Sequence, residues 1–308
     1  MKSLRAWFMR RRVGSGELWD SFRRSPFAIA AATIAVLCLV GAVFAGALAP
    51  HDPFDLARLE LGDARLPPAW LDGGTPRYLL GTDDQGRDIL SALLYGARLS
   101  LAVGAASVLV SLFVGVPLGL LSGYVGGRVD AVLMRICDVM LSFPAILVAL
   151  LVDGVGRALF PAAHDALAFG VLVAAIALTG WVPYARTVRG SALVERGKDY
   201  VLAARVIGVA PWRIARRHVL PNVLGPVWVL ATIQLASAIL IEATLSFLGV
   251  GMPPTTPSLG TLIRIGNDFL FSGEWWIAAF PGAMLMLIAV SVNLLGDWLR
   301  DALNPRLR

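Results

Sequence analysis

The stretch that decides the fold is residues 195–222, ERGKDYVLAARVIGVAPWRIARRHVLPN. It is too charged to cross a bilayer, yet its apolar residues fall at helical spacing. Tyr200-Val201-Leu202-Ala203-Ala204-Arg205-Val206-Ile207 forms one amphipathic series, and Gly208 ends it with Pro211 shortly beyond. A second series, Trp212–Leu220, places Arg213, Arg216 and Arg217 on one side and stops at Pro221. The pattern predicts a helix–Gly–helix hairpin whose Ala203, Ala204 and Gly208 form a thin, close-packing face. The surrounding segment Arg186–Arg217 holds eight Arg or Lys residues, which puts the hairpin on the cytoplasmic side of a membrane.

Working outward, five runs without Asp, Glu, Lys or Arg are long enough to cross a hydrocarbon core of about 30 Å. They lie between Arg24 and Asp52, Arg98 and Arg128, Asp165 and Arg186, Arg217 and Glu242, and Glu274 and Asp297. A shorter run, Val139–Val152, extends back through Ile136 and Leu133 to about Val129 and gives a sixth span. Arg135 and Asp138 fall inside that extension, so they sit near the interface or turn inward to a partner. The composition agrees: 57% of the 308 residues are hydrophobic and only 16% charged, against about a quarter charged in soluble chains. The first run follows about two dozen residues and is longer than the apolar core of a signal peptide, so it reads as a retained span.

Charge orients the spans. Residues 1–25 carry seven basic side chains, whereas Pro50–Ala97 has four arginines against eight acids. The loops Asp153–Asp165 and Val250–Glu274 carry one arginine each, and the tail carries Arg300, Arg306 and Arg308. Both termini are therefore expected in the cytoplasm. The expected organisation is a cytoplasmic segment 1–25, a first span 26–49, an extracytoplasmic lobe 50–97 and a transmembrane core 98–298. That core contains the hairpin 195–222 and an outer loop 250–274, and a cytoplasmic tail 299–308 follows. In the outer loop, Leu259–Phe271 has the spacing of a short helix lying at the interface, and Trp275-Trp276 would anchor the last span at headgroup depth.

Several groups are candidates for function. Gln234, Ser237 and Glu242 are polar residues in or near the fifth span, where they either line a translocation path or join helices. Asp83, Asp84, Arg87 and Asp88 cluster before the second span, as an acid–base set, a docking surface or, preferred here, a fold-stabilising network. His51, His164 and His218 show no metal-ligand spacing. Cys38 and Cys137 both lie in apolar stretches and indicate no disulfide framework.

Taken together, the motifs resemble the permease subunits of bacterial ABC importers. The run Tyr200–Ala203-Ala204–Gly208, ending in Arg217-His218-Val219-Leu220-Pro221-Asn222, is similar to their cytoplasmic coupling loop. Leu80–Asp88 before Tyr95-Gly96-Ala97-Arg98-Leu99-Ser100, Met134–Asp138 leading to Phe143-Pro144, Leu245–Gly251 before Pro253–Pro257, and Asn293–Asp297 narrow the resemblance to the dipeptide/oligopeptide/nickel permease group. Pro67-Pro68-Ala69-Trp70 with Gly73-Gly74 is especially similar to the second permease subunit of dipeptide importers. The resemblance implies an all-α membrane protein with the type I ABC importer permease fold, in the bacterial inner membrane. It also implies partners: a second homologous permease, two ABC ATPase subunits, an extracytoplasmic solute-binding protein and membrane lipid, but no nucleic acid. On it, Tyr200, Ala203, Ala204, Arg205, Gly208, Pro211, Arg213 and Pro221 form the ATPase-coupling hairpin. Gln234, Ser237 and Glu242 stay candidates for the path or for helix contacts, and Asp83, Asp84, Arg87 and Asp88 stay candidates for docking the binding protein beside the preferred reading as a fold-stabilising network. Where the family's motif has Glu, this chain has Leu202, so a charge contact there does not carry over.

The same resemblance covers importers of nickel, glutathione and haem. A stand-alone secondary transporter would call for inverted repeats and broken midplane helices, and would leave the hairpin without a role. An intramembrane enzyme lacks support, because no span holds a histidine. No cofactor is expected on this chain: Lys198, in Gly197-Lys198-Asp199, lacks the spacing of a phosphate-binding loop, so ATP and Mg²⁺ belong to the partner subunits.

Overall fold

The structure, a computed structural model, describes residues 15–53 and 61–303. The basic residues Lys2, Arg5, Arg10, Arg11 and Arg12 and the tail residues Arg306 and Arg308 lie outside them. Among the described residues every regular element is helical, and the extended pairing is one isolated bridge, Thr82 to Asp88. The helices are α1 (Ser15–Arg24), α2 (Pro26–Val43), α3 (Ala45–Leu48), α4 (Ile89–Val125), α5 (Gly127–Ser142) and α6 (Ala145–Leu159). They continue with α7 (His164–Glu195), α8 (Asp199–Val206), α9 (Pro211–Ile214), α10 (Leu220–Phe247), α11 (Leu259–Asn267) and α12 (Trp276–Leu303).

Five helical stretches are long and apolar enough to span a membrane: α2, α4, α7, α12 and the continuous run Pro211–Phe247. The third expected span differs from a straight rod. It is the pair α5 and α6, bent by 88°, and counting that pair as one unit brings the number to six. Proline is the cause. Pro144 disfavours helical backbone at the residue before it, and Phe143 is accordingly extended at φ −102°, ψ 135°. Asp138 does turn to a partner, with Arg186 Nη2 2.5 Å from its carboxylate.

Three other boundaries are corrected. The second span begins at Ile89, nine residues ahead of Arg98, because Asp88 caps its first turn by accepting from Ser91 N at 2.9 Å. The lobe therefore ends at Asp88 rather than at 97. The second arm of the hairpin does not stop at Pro221. A π-turn, Ala215–Val219, carries α9 straight into α10, and its wide register relieves the clash between the proline ring and the preceding turn. Thirdly, α11 does not lie on the surface: Leu259, Gly260, Thr261, Leu262 and Gly266 are buried among the spans. It wedges in because Gly260 meets the backbone of Ala243 and Gly266 that of Ile277 and Ala278, each with no room for a Cβ. Trp276 is likewise inside, its Nε1 donating to the Thr82 carbonyl at 3.3 Å, while Trp275 stays exposed.

The bundle is organised on the crossing of α4 and α7. Gly115, Gly119 and Gly123 stand four residues apart on α4, and a Cβ on any of them would fall within 2.4–2.8 Å of Trp181, Ala185 or Arg189–Ala192 atoms. Small residues at this spacing let two helix backbones approach closely, which is how spans associate where no water is left to expel. At one end of the bundle Phe22 of α1 packs edge-on against Trp298 of α12, ring centroids 5.2 Å apart. Gly296 of α12 faces Thr232 of α10, so both ends of the described chain lie toward the end of the bundle that carries the hairpin.

Candidate functional site

The hairpin is built from a short helix, a glycine stop and the start of a long helix. α8 ends in a paired C-terminal cap: Gly208 N donates to the Arg205 carbonyl and Val209 N to the Ala204 carbonyl, both at 3.0 Å. That cap requires a left-handed residue, and Gly208 has φ +84°. A Cβ there would meet nothing within 4 Å. Within this chain Gly208 thus serves the backbone turn and not a tight contact. Pro211 then opens α9 at its first turn, where a missing N–H costs nothing.

The two arms present opposite faces. Val201, Ala204, Ile214, Ala215 and Val219 point inward and join Tyr184, Val188 and Ala192 of α7 in one core cluster. Ala204 is therefore internal, a correction to its expected place on the contact face, because the alanine lets α8 lie close to its own bundle. Ala203, Arg205, Gly208 and Arg213 are exposed, and the Arg205 guanidinium lies 5.5 Å from the Tyr124 ring centroid. Val206 is 88% exposed, Ile207 79% and Trp212 69%, with Leu202 beside them. These apolar residues were not among the candidates. Their sequence signal was large apolar side chains inside an arginine-rich segment that does not cross the membrane.

A polar hub fixes the hairpin's base. Glu195, at the end of α7, is buried and accepts from both Tyr200 Oη and Lys198 Nζ. Asn222 Nδ2 donates to Tyr200 Oη at 3.1 Å and to the His218 carbonyl at 2.7 Å. Tyr200 thereby links the last turn of α7 to the π-turn and the first turn of α10. Nearby, Arg189 of α7 grips Asp130 of α5 with two hydrogen bonds, 2.5 and 2.7 Å, and Ser122 of α4 donates to the same carboxylate at 2.5 Å.

The other candidates divide. Glu242 is fully enclosed: Ser246 Oγ donates to its Oε1 at 2.7 Å, and the hydroxyls of Ser100 and Ser258 face it from α4 and the cap of α11. Such a carboxylate joins three elements and faces no open path in this conformation. Gln234 and Ser237 are half-buried, and on an α-helix Ser237 is rotated from Glu242 by about 140°. Asp83, Arg87 and Asp88 are also buried. Arg87 Nε donates to Asp83 at 2.6 Å and its Nη1 to the Pro254 carbonyl at 3.1 Å, tying the lobe to the outer loop. Of the four, only Asp84 keeps partial exposure. Its carboxyl is pushed above the usual aspartate range, first by burial and then by Asp83, with Arg87 pulling the other way. Among the described residues no group of three His, Cys, Asp or Glu side chains could hold a metal ion.

A helical bundle of membrane-spanning length with a basic, apolar-tipped hairpin suits a transport component. Residues 115–308 match the family described as binding-protein-dependent transport system inner membrane component, and residues 15–68 match the N-terminal TM domain of oligopeptide transport permease C. The chain belongs to the first of these families and is a multi-pass inner-membrane permease component. Among its relatives is the di/tripeptide transport system permease protein DppC of Pseudomonas aeruginosa, 40% identical over 95% of this chain and 92% of that protein. The dipeptide transport system permease protein DppC of Escherichia coli K12 is 43% identical over 95% and 93%. In fold the chain is similar to one from an inward-facing crystal form of the MetNI methionine ABC transporter, with TM-score 0.56 and 19% identity over 69% of this chain and 96% of that one. The architecture is the permease fold of ABC importers.

Proposed function

We propose that this chain is the permease subunit of an ATP-driven peptide importer. With a second, homologous permease it forms the path for dipeptides and oligopeptides handed over by an extracytoplasmic solute-binding protein. Two ATPase subunits bind ATP and Mg²⁺ and dock on the hairpin 195–222 from the cytoplasm, which places both termini inside. The observation that carries this reading is the exposed cluster Leu202, Val206, Ile207 and Trp212 on a base held by Glu195, Tyr200 and Asn222. Large apolar side chains rimmed by arginines on a non-spanning segment suit a protein groove. Leu202, where the family has Glu, joins that apolar cluster, so docking rests on buried apolar area and not on an ion pair. The peptide substrate rests on relatives that carry that description over nearly their whole length. ATP-driven closure of the groove then moves the hairpin and its attached spans as a rigid body.

The test uses the complete transporter. Ile207→Asp and Trp212→Ala are expected to leave membrane insertion intact, to release the ATPases on purification, and to lower labelled-dipeptide uptake at least tenfold. Unchanged ATPase retention and uptake in both variants would sink the coupling assignment. Uptake that nickel competes away and dipeptides do not would sink the substrate.

A further inference from the structure

The outer lobe carries an exposed tryptophan where the sequence offers no span to place it. Trp70 is 61% exposed, yet its ring stands edge-on to Phe280 of α12, centroids 6.2 Å apart at 83°. Phe280 also meets Trp275 at 5.9 Å. The depth of this cluster follows from α12. Residues 275–296 are 22 without a charge, about 33 Å of helix, which matches a hydrocarbon core of about 30 Å. Phe280 lies five residues in, about 7 Å along the axis from Trp275. A ring touching it from the lobe is therefore at the boundary between headgroups and acyl chains and not in bulk water.

We infer that the lobe 61–88 rests on the bilayer surface, with Trp70 inserted among the lipid headgroups as its anchor. The lobe cannot swing away from that position: Trp276 Nε1 holds the Thr82 carbonyl at 3.3 Å, and Arg65 pairs with Glu274 at 3.5 Å. Leu79, beside the segment that carries Trp70, is exposed too, and its carbonyl accepts from Ala69 N at 3.2 Å. Lipid is the occupant for two reasons. Phe280 stands at the head of an exposed apolar stripe on α12, through Met286, Leu287, Val290 and Leu294, and the indole combines an apolar body with a donor suited to headgroup oxygens. Second, α12 packs with α2, whose exposed Val36, Leu37, Leu39, Val40 and Val43 form an arc of about 160° on the helix, a broad apolar face on a span that carries no charged side chain. The inference needs only that α12 crosses the bilayer and stands apart from the substrate assignment.

A spin label at Trp70→Cys, in the complete transporter in phosphatidylcholine–phosphatidylglycerol nanodiscs, tests it. The background is Cys38→Ala and Cys137→Ala, with Gln85→Cys as the aqueous reference and Met286→Cys as the hydrocarbon reference. Collision with oxygen, which concentrates in lipid, is expected to exceed that at Gln85, while collision with a nickel chelate falls severalfold below it. High nickel collision would place the residue in water, and low collision with both would place it under protein; either overturns the inference. An independent measurement keeps the native ring. Lipids brominated near the headgroup should quench a fluorescence component that Trp70→Phe removes, and no change in the quenched fraction would also overturn it.

Discussion

Gly208 shows what one residue does here. Its φ of +84° lies in the left-handed region, and the space where a Cβ would go is empty. A left-handed β-branched residue costs about 1–2 kcal/mol, whereas Asn tolerates that region. Gly208→Asn is therefore expected to keep vesicle uptake within about twofold, and Gly208→Val to lose most of it. Loss in both variants would mean that a partner packs against the missing Cβ. Asp84 gives a second residue-scale outcome. Its folded pKa is raised and its Oδ1 is buried without a hydrogen-bond partner. An acid with a raised folded value contributes most stability when protonated, and loses that contribution as pH climbs from the ordinary aspartate range through the folded value. Asp84→Asn should thus raise Tm at about pH 8, by about 1–2 °C because the site is half-exposed, and give no gain at about pH 3.

At the scale of elements, the α4–α7 crossing is the feature most sensitive to a methyl group. A Cβ at Gly119 of α4 would come 2.4 Å from the Ala185 carbonyl oxygen, while one at Gly170 of α7 meets nothing within 4 Å. Gly119→Ala is expected to cost about 1–3 kcal/mol through overpacking, read as a fall of several degrees in detergent melting, and Gly170→Ala to be neutral. The ladder Gly115–Gly119–Gly123 was present in the sequence, but hydropathy weighs apolarity and not side-chain size, so the partner helix was not legible. Span existence was legible, because charges at Arg24, Asp52, Arg128 and Asp297 bound the runs. Element ends were less so. Asp88 is a cap that reads as one acid among several, and Pro221 signals a stop unless the π-turn that absorbs it is known. The candidate site divided in the same way. Gly208 and Pro211 punctuate the backbone and announce themselves, whereas the inward turn of Ala204 and the enclosure of Glu242 depend on which neighbours the fold delivers.

For the whole molecule, charge asymmetry makes a topological claim. Arg213 on the hairpin and Gln85 in the lobe are both exposed, and the two native cysteines are buried. In sealed, right-side-out membranes an impermeant maleimide should label Gln85→Cys at once and Arg213→Cys only after the membrane is opened. The reverse pattern would invert the orientation proposed here.

The stretch Pro211–Phe247 is one continuous 37-residue run, a rod of about 55 Å. At one end stands Trp212, on the exposed hairpin; toward the other stands Glu242, locked to the cap of α11. In mechanical terms this is a single lever whose handle is the exposed hairpin and whose far arm ends against the cap of α11. A tilt of about 10° at the handle sweeps the tip through about 10 Å, given the length of the rod. Motion at the hairpin can then reach the far end as one stroke of one element, with no signal relayed from helix to helix.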